Sequence, residues 1–185
     1  MKARYKLLLA IAVIWGLKVG LTFLVGRSLA FPVLRGLIGL QHPAIEWVAP
    51  ADLAVWLADS SRERPRVLDV RTPAEYAVSH LPGAERIDPD APIPAHLLAL
   101  PRTTPIVTYC AVGYRSAGAA ERLRQAGFTR VWNLSGSIFR WANEGRPLEG
   151  QSGPTDRVHP ISWWWGRLLR PDRRAALAAL SEGKT

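Results

Sequence analysis

Residues 105–127 read PIVTYCAVGYRSAGAAERLRQAG, and this stretch decides how the chain folds. A short apolar run, Ile106, Val107 and Tyr109, reads as a buried strand that delivers Cys110, the single cysteine of the 185 residues. Ala111, Val112, Gly113, Tyr114 and Arg115 follow as a tight loop. A helical pattern then opens at Ser116 and stops at Gly127. A thiol between a strand end and a helix N-terminus is placed for nucleophilic chemistry, because aligned backbone N–H groups there favour negative charge on the sulfur. Arg115 adds a positive charge, and Gly113 permits positive φ and close backbone approach. A loop curling around the sulfur directs successive N–H groups inward as an anion nest.

Working outward, strand and helix signals alternate from Ile45 to Gly150. Strands are expected at 45–48, 66–70, 84–87 and 130–134, with helices at 50–58, 94–100 and 137–144. A further helix opens in TPAEYAVS, with Thr72 as N-cap, Pro73 in the first turn and Glu75 three residues on, the signature of a capping box. Such alternation predicts an α/β fold, a parallel sheet with helices on both faces. Sites in such sheets lie outside the carboxyl ends of the strands, where Cys110 sits.

Charge excludes one function class. The net charge of +9 divides as +6 over residues 1–44, zero over 45–150 and +3 over 151–185. A nucleic-acid-binding domain carries a basic face of its own, and the neutral middle has no excess to supply one. Basic flanks beside apolar residues suit a membrane surface. The four histidines are scattered and no Cys/His group has zinc-ligand spacing, so neither a metal nor a cofactor is expected.

The flanks carry that membrane expectation. Lys2, Arg4 and Lys6 precede LLLAIAVIWGLKVGLTFLVG, residues 7–26, long enough for a bilayer core. Twelve of these residues are Leu, Ile, Val or Phe, each worth about −0.3 to −0.6 kcal/mol on insertion, against about +2.5 to +3.5 for Lys18. Residues 1–26 are therefore expected to be a basic n-region and a single-pass transmembrane anchor. A cleaved signal ending at Ser28-Leu29-Ala30 and a buried soluble helix are the competing readings. The positive-inside rule places the domain on the extracytoplasmic, periplasmic side of the cell membrane. Residues 27–44 form an interfacial or irregular connector around Pro32, Gly36 and Gly39. After Gly150, QSGPTDRVHP is linker-like. The tail 151–185 continues with three tryptophans, an Arg-rich segment and a short Ala/Leu helix; its tryptophans either contact a membrane interface or pack on the domain.

Three blocks, LDVRTPAEYAVSHLPGAERI, VTYCAVGYRSAGAAERLRQAGF and NLSGSIFRWANEGRPL, resemble the signature blocks of single-domain rhodaneses over residues 45–150. The resemblance implies a five-stranded parallel sheet and a sulfurtransferase. Cys110 would take a sulfane sulfur from a small anionic donor such as thiosulfate, become a persulfide, and pass the sulfur to a thiol, free or on a protein, or to cyanide. It further implies that Ala111, Val112, Gly113, Tyr114 and Arg115 hold the anion, with Arg115 binding the donor. Asp69 and Arg71 would be an ion pair supporting the loop, and His80 a structural residue. A non-enzymatic, membrane-tethered module serving as sulfur carrier or docking partner is the alternative. Related phosphatases place five residues between Cys and Arg; here four intervene, a ring that suits a sulfur atom better than a phosphoryl group. Ser79 stands where the family usually has Gly, and Arg86 where Asn is common.

Overall fold

The computed structural model describes Gly26 and residues 29–176. Its centre is a five-stranded, wholly parallel sheet in the order β1-β5-β4-β2-β3. The strands are β1 (Glu46–Val48), β2 (Arg66–Asp69), β3 (Glu85–Arg86), β4 (Ile106–Tyr109) and β5 (Val131–Leu134). β4 lies at the centre between β2 and β5, and all four of its residues are buried. Period-two alternation sends Val67, Val107 and Tyr109 into one core and Leu68 and Ile106 into the other.

Helices cover both faces, as expected. α2 (Pro50–Ala58) and α6 (Ser137–Asn143) pack together over the first core, through Leu53, Trp56, Ile138, Phe139 and Trp141. α4 (Ala95–Leu98) and α5 (Tyr114–Gln125) cover the second through Leu97, Ala119, Ala120 and Leu123. α3 (Pro73–Val78) follows β2, and both arms of its capping box form between Thr72 and Glu75. α5 begins at Tyr114, two residues before the expected start. Gly113, at φ 113°, takes the N-cap in the left-handed region and lets the helix open directly from the loop.

The connector differs from expectation. Residues 29–41 are helical (α1) rather than irregular. Phe31, Leu34 and Ile38 share one side at helical spacing and dock onto the domain, and that burial outweighs the weak helix propensity of Pro32, Gly36 and Gly39. The dock requires Gly136, at φ 69°: a Cβ there would lie 2.6 Å from Cβ of Arg140 and 3.1 Å from the Phe31 ring. His42, just past α1, is 2.8 Å from the Glu121 carboxylate of α5. The other side of α1 leaves Leu29, Val33, Leu37 and Leu40 exposed.

The linker-like segment is also folded. β6 (Leu148–Gly150) and β7 (Gly153–Thr155) form an antiparallel hairpin, and Glu149 exchanges backbone hydrogen bonds with His80. Its short turn and the cross-strand ladder to His80 give the Gly- and Pro-containing stretch partners that composition does not reveal. Farther on, Val158 and Leu169 are fully buried in the first core. Asn143 at the end of α6 clamps this segment, donating to the Leu168 carbonyl at 2.7 Å and accepting from the Arg170 N–H at 2.8 Å. α7 (Trp163–Gly166) carries the tryptophan triplet, and all three rings are exposed. Arg167 lies over Trp163 and Trp164. The Ala/Leu helix expected in the tail falls largely on residues 177–185, outside the described residues.

The transmembrane span expected at 7–26 also falls outside the described residues, apart from Gly26. Among the described residues no helix is long and apolar enough to cross a membrane.

Because Leu169 is fully buried in the main core, Leu169→Ala should destabilise the protein by about 2–5 kcal/mol, the range for emptying a buried leucine site. A urea unfolding midpoint unchanged by the substitution would show that the tail lies outside the cooperative unit.

Candidate active site

Cys110 leaves the end of β4 and is 1% exposed. Its loop is held by its carbonyls. The Cys110 and Ala111 carbonyls accept from the Ile138 and Phe139 N–H groups in the first turn of α6, at 3.2 and 3.1 Å. The Gly113 carbonyl accepts from Nδ2 of Asn133 at 2.8 Å, and Oγ of Ser116 donates to Oδ1 of Asn133 at 2.7 Å. The Cys110 N–H donates to Oγ of Ser137 at 3.2 Å. With its carbonyls turned outward, the loop brings the Gly113 N–H to 3.2 Å from Sγ of Cys110. The first N–H groups of α5 have no partner within the helix, and Gly113 brings no side-chain cap to cover them. The sulfur thus faces the Gly113 N–H beside the uncapped start of α5, an arrangement that favours negative charge on an atom bound at Sγ.

Arg115 stands at the mouth of this arc, 34% exposed, with its guanidinium held in two-pronged fashion by Glu75 at 2.8 and 3.0 Å. Burial opposes the ionisation of Glu75, yet the hydrogen bonds from Arg115 and the Thr72 N–H outweigh it and lower the Glu75 pKa. Arg115 mirrors this: burial opposes its charge, while Glu75, and to a lesser degree the Cys110 sulfur, raise its pKa. The charge expected beside Cys110 is present but locally balanced. Glu75 is the residue that sequence reasoning missed here. Its capping-box role was visible, but nothing signalled a partner 40 positions away.

Asp69 and Arg71 form a fully buried pair, with Arg71 Nη2 2.6 Å from the Asp69 carboxylate. Arg71 also donates to the Ser79 carbonyl at 2.5 Å, and Arg86 donates to the Arg71 carbonyl at 3.3 Å. Both sequence departures, Ser79 and Arg86, therefore contact Arg71. The Arg71 guanidinium lies over the ring of Tyr109, the residue before Cys110. Burial, then the Asp69 charge, push the Tyr109 pKa well up, keeping the hydroxyl neutral where it accepts from the Leu81 N–H. His80 faces another neighbourhood. It stacks on Tyr76 at 3.9 Å between ring centroids, and its backbone holds the β6 strand.

Above Cys110 opens a cleft of about 500 Å³. Cys110, Val112 and Arg115 form its floor. Its walls come from both flanks of the chain: Leu34, Leu37 and Ile38 of α1 on one side, Ile161 and Trp165 on the other. Tyr114 at the rim meets the His42 ring edge-on at 6.5 Å. The sequence read residues 27–44 as a connector and 151–185 as a tail whose tryptophans contact a membrane or pack on the domain, with no sign that both segments line the space over the sulfur.

The model of the Rhodanese-like domain matches residues 53–144. A sulfurtransferase of Allochromatium vinosum is 39% identical over 97 residues, 52% of this chain and 88% of that one. The chain belongs to the rhodanese-like family. The thiosulfate sulfurtransferase GlpE of Pseudomonas aeruginosa is 31% identical over 91 residues, 49% of this chain and 81% of that protein. Among solved structures, the rhodanese-like domain of an Anabaena protein superposes with a TM-score of 0.51 at 27% identity, covering 56% of this chain and 78% of that one. The floor of the cleft lies within the rhodanese-like match, whereas the α1 and Trp165 walls lie outside it.

Because the folded-state pKa of Glu75 is lowered, its contribution to stability is fully present above the ordinary carboxylate range and is lost as pH falls through the lower folded value. Glu75→Gln should therefore flatten the acid side of a plot of urea midpoint against pH. An acid limb identical to that of the parent would exclude Glu75 as a contributor.

Proposed function

We propose that the protein is a sulfurtransferase that moves sulfane sulfur through a persulfide on Cys110. A rhodanese-like domain and sulfurtransferase relatives support a role in sulfur transfer. The observation that carries the finer reading is the Cys110 loop, with its carbonyls bound to α6 and Asn133 and the Gly113 N–H 3.2 Å from Sγ.

In the first half-reaction the Cys110 thiolate attacks the outer sulfur of thiosulfate. The Sγ–S bond forms, the sulfur–sulfur bond of the donor breaks, and sulfite leaves with the electron pair. The persulfide carries its negative charge on the outer sulfur, inside the arc of N–H groups from residues 111–115. Preorganised donors of this kind stabilise the charge without reorganising at the moment of transfer. Arg115, steadied by Glu75, presents its remaining N–H edge to the incoming anion. In the second half-reaction an acceptor, cyanide or a thiolate, attacks the outer sulfur, and Sγ leaves as the thiolate. Asp69 and Arg71 act indirectly, by fixing Tyr109 and so the end of β4. His80 has a structural part, tying α3 to the hairpin. No cofactor or metal enters these steps. The four-residue spacing between Cys110 and Arg115 favours sulfur over a phosphoryl group at this position.

Cys110→Ala should reduce thiosulfate:cyanide sulfurtransferase activity by about a thousandfold or more, the scale of loss when a nucleophile is removed, with cooperative unfolding preserved. Activity retained in that variant would refute the persulfide route.

A further inference from the structure

We infer that the cleft over Cys110 binds the apolar body of the sulfur acceptor, so that the preferred acceptor is a thiol carrying an alkyl or aryl group rather than a small hydrophilic thiol. This inference rests on the sulfur-transfer reading above and specifies its acceptor.

The cleft is large. A volume of about 500 Å³ falls within the range of sites that enclose ligands of drug-like dimensions, far more room than an inorganic sulfur anion or cyanide occupies. Its chemistry is unevenly distributed. Polar groups converge at one end, where Sγ of Cys110, the loop N–H groups and Arg115 meet. The walls, from Leu34, Leu37 and Ile38 to Ile161 and Trp165, offer hydrocarbon and an indole ring, with Gln41 and Tyr114 as the residues that carry polar atoms. A ligand complementary to this cleft has an anionic reacting atom at one end and an apolar body behind it. A thiolate with a hydrocarbon chain has that form.

The walls are built into the fold. α1 is fixed by Phe31 and Ile38, by the close approach to Gly136 and by the His42–Glu121 contact. The opposite wall is fixed by buried Leu169 and the Asn143 clamp. Two segments outside the rhodanese-like match are thus both packed on the domain and both line the cleft, leaving Leu37 and Trp165 partly exposed to meet a ligand. Burying part of each added methylene between them favours longer acceptors.

The step balances without a further reagent. The acceptor thiol gives its proton to solvent, and its thiolate attacks the outer sulfur of the Cys110 persulfide. The bond between that sulfur and Sγ breaks as the new sulfur–sulfur bond forms. Sγ leaves with the electron pair as the thiolate, and the acceptor departs as an alkyl persulfide anion.

The test uses the full chain in two stages. Cys110 is first loaded with sulfur from thiosulfate, and loading is verified by mass. Discharge of the loaded protein is then timed against 2-mercaptoethanol, propanethiol, butanethiol and hexanethiol. Along the alkanethiols the second-order rate constant should rise about twofold to fourfold per methylene, the factor for burying part or all of a CH2 group. Leu37→Asn and Trp165→Ala should each reduce the ratio of the hexanethiol to the 2-mercaptoethanol rate constant by about tenfold. Loading followed by discharge at rates independent of chain length overturns this inference while leaving sulfur transfer standing. A chain-length dependence that both variants retain overturns it as well. Failure to load overturns the sulfur-transfer reading, and the inference with it.

Discussion

Two backbone hydrogen bonds, from the Ile138 and Phe139 N–H groups to the carbonyls of Cys110 and Ala111, set the orientation on which the rest of the site depends. A trans peptide whose carbonyl is drawn toward α6 turns its N–H the other way, and the same loop brings the Gly113 N–H to the sulfur. The parallel sheet makes this possible. β4 is the central strand, and β5 beside it leads into α6, so the strand that ends at Cys110 and the helix that holds its loop share one end of the sheet. Gly113 completes the geometry by entering the left-handed region where α5 starts. Charge is arranged with the same economy. Asp69 and Arg71 are buried as a pair beneath Tyr109, and leaving either one alone would cost about 3–5 kcal/mol, so the end of β4 is held by an interaction that tolerates no half measures.

The flanks change what this loop can be used for. α1 and the 158–174 segment both contribute residues to the space over Cys110. With them, Cys110 lies at the bottom of an apolar cleft. The same residues that bury Phe31 and Leu169 in the main core also position Leu37 and Trp165 over the sulfur, so stability and access to the site are coupled through one set of contacts.

Much of the sheet and of the loop could be read from the sequence, because both rest on local signals. Short apolar runs marked β2, β4 and β5, and Thr72 and Glu75 announced α3 through the reciprocal hydrogen bonds of its cap. A lone cysteine before Gly113 and Arg115 pointed to an anion-binding turn. What escaped was carried by tertiary contacts. Pro32, Gly36 and Gly39 argued against a helix that forms because one side of it is buried. Gly153 and Pro154 looked like linker residues, yet they belong to a strand paired in the hairpin. Glu75 was visible as a cap and invisible as the partner of Arg115, because no local pattern links the two positions. The start of α5 was misplaced by two residues because the helix opens from the loop itself, with a left-handed glycine in place of a side-chain cap.

The central claim is that Cys110 carries a sulfane sulfur within its ring of backbone donors, and mass spectrometry of the intact protein tests it most directly. After incubation with thiosulfate and removal of excess donor, the protein should gain the mass of one sulfur atom, located on the peptide containing Cys110 and lost on treatment with cyanide. A Cys110 that stays unmodified by thiosulfate while remaining reactive toward an alkylating reagent would contradict the account.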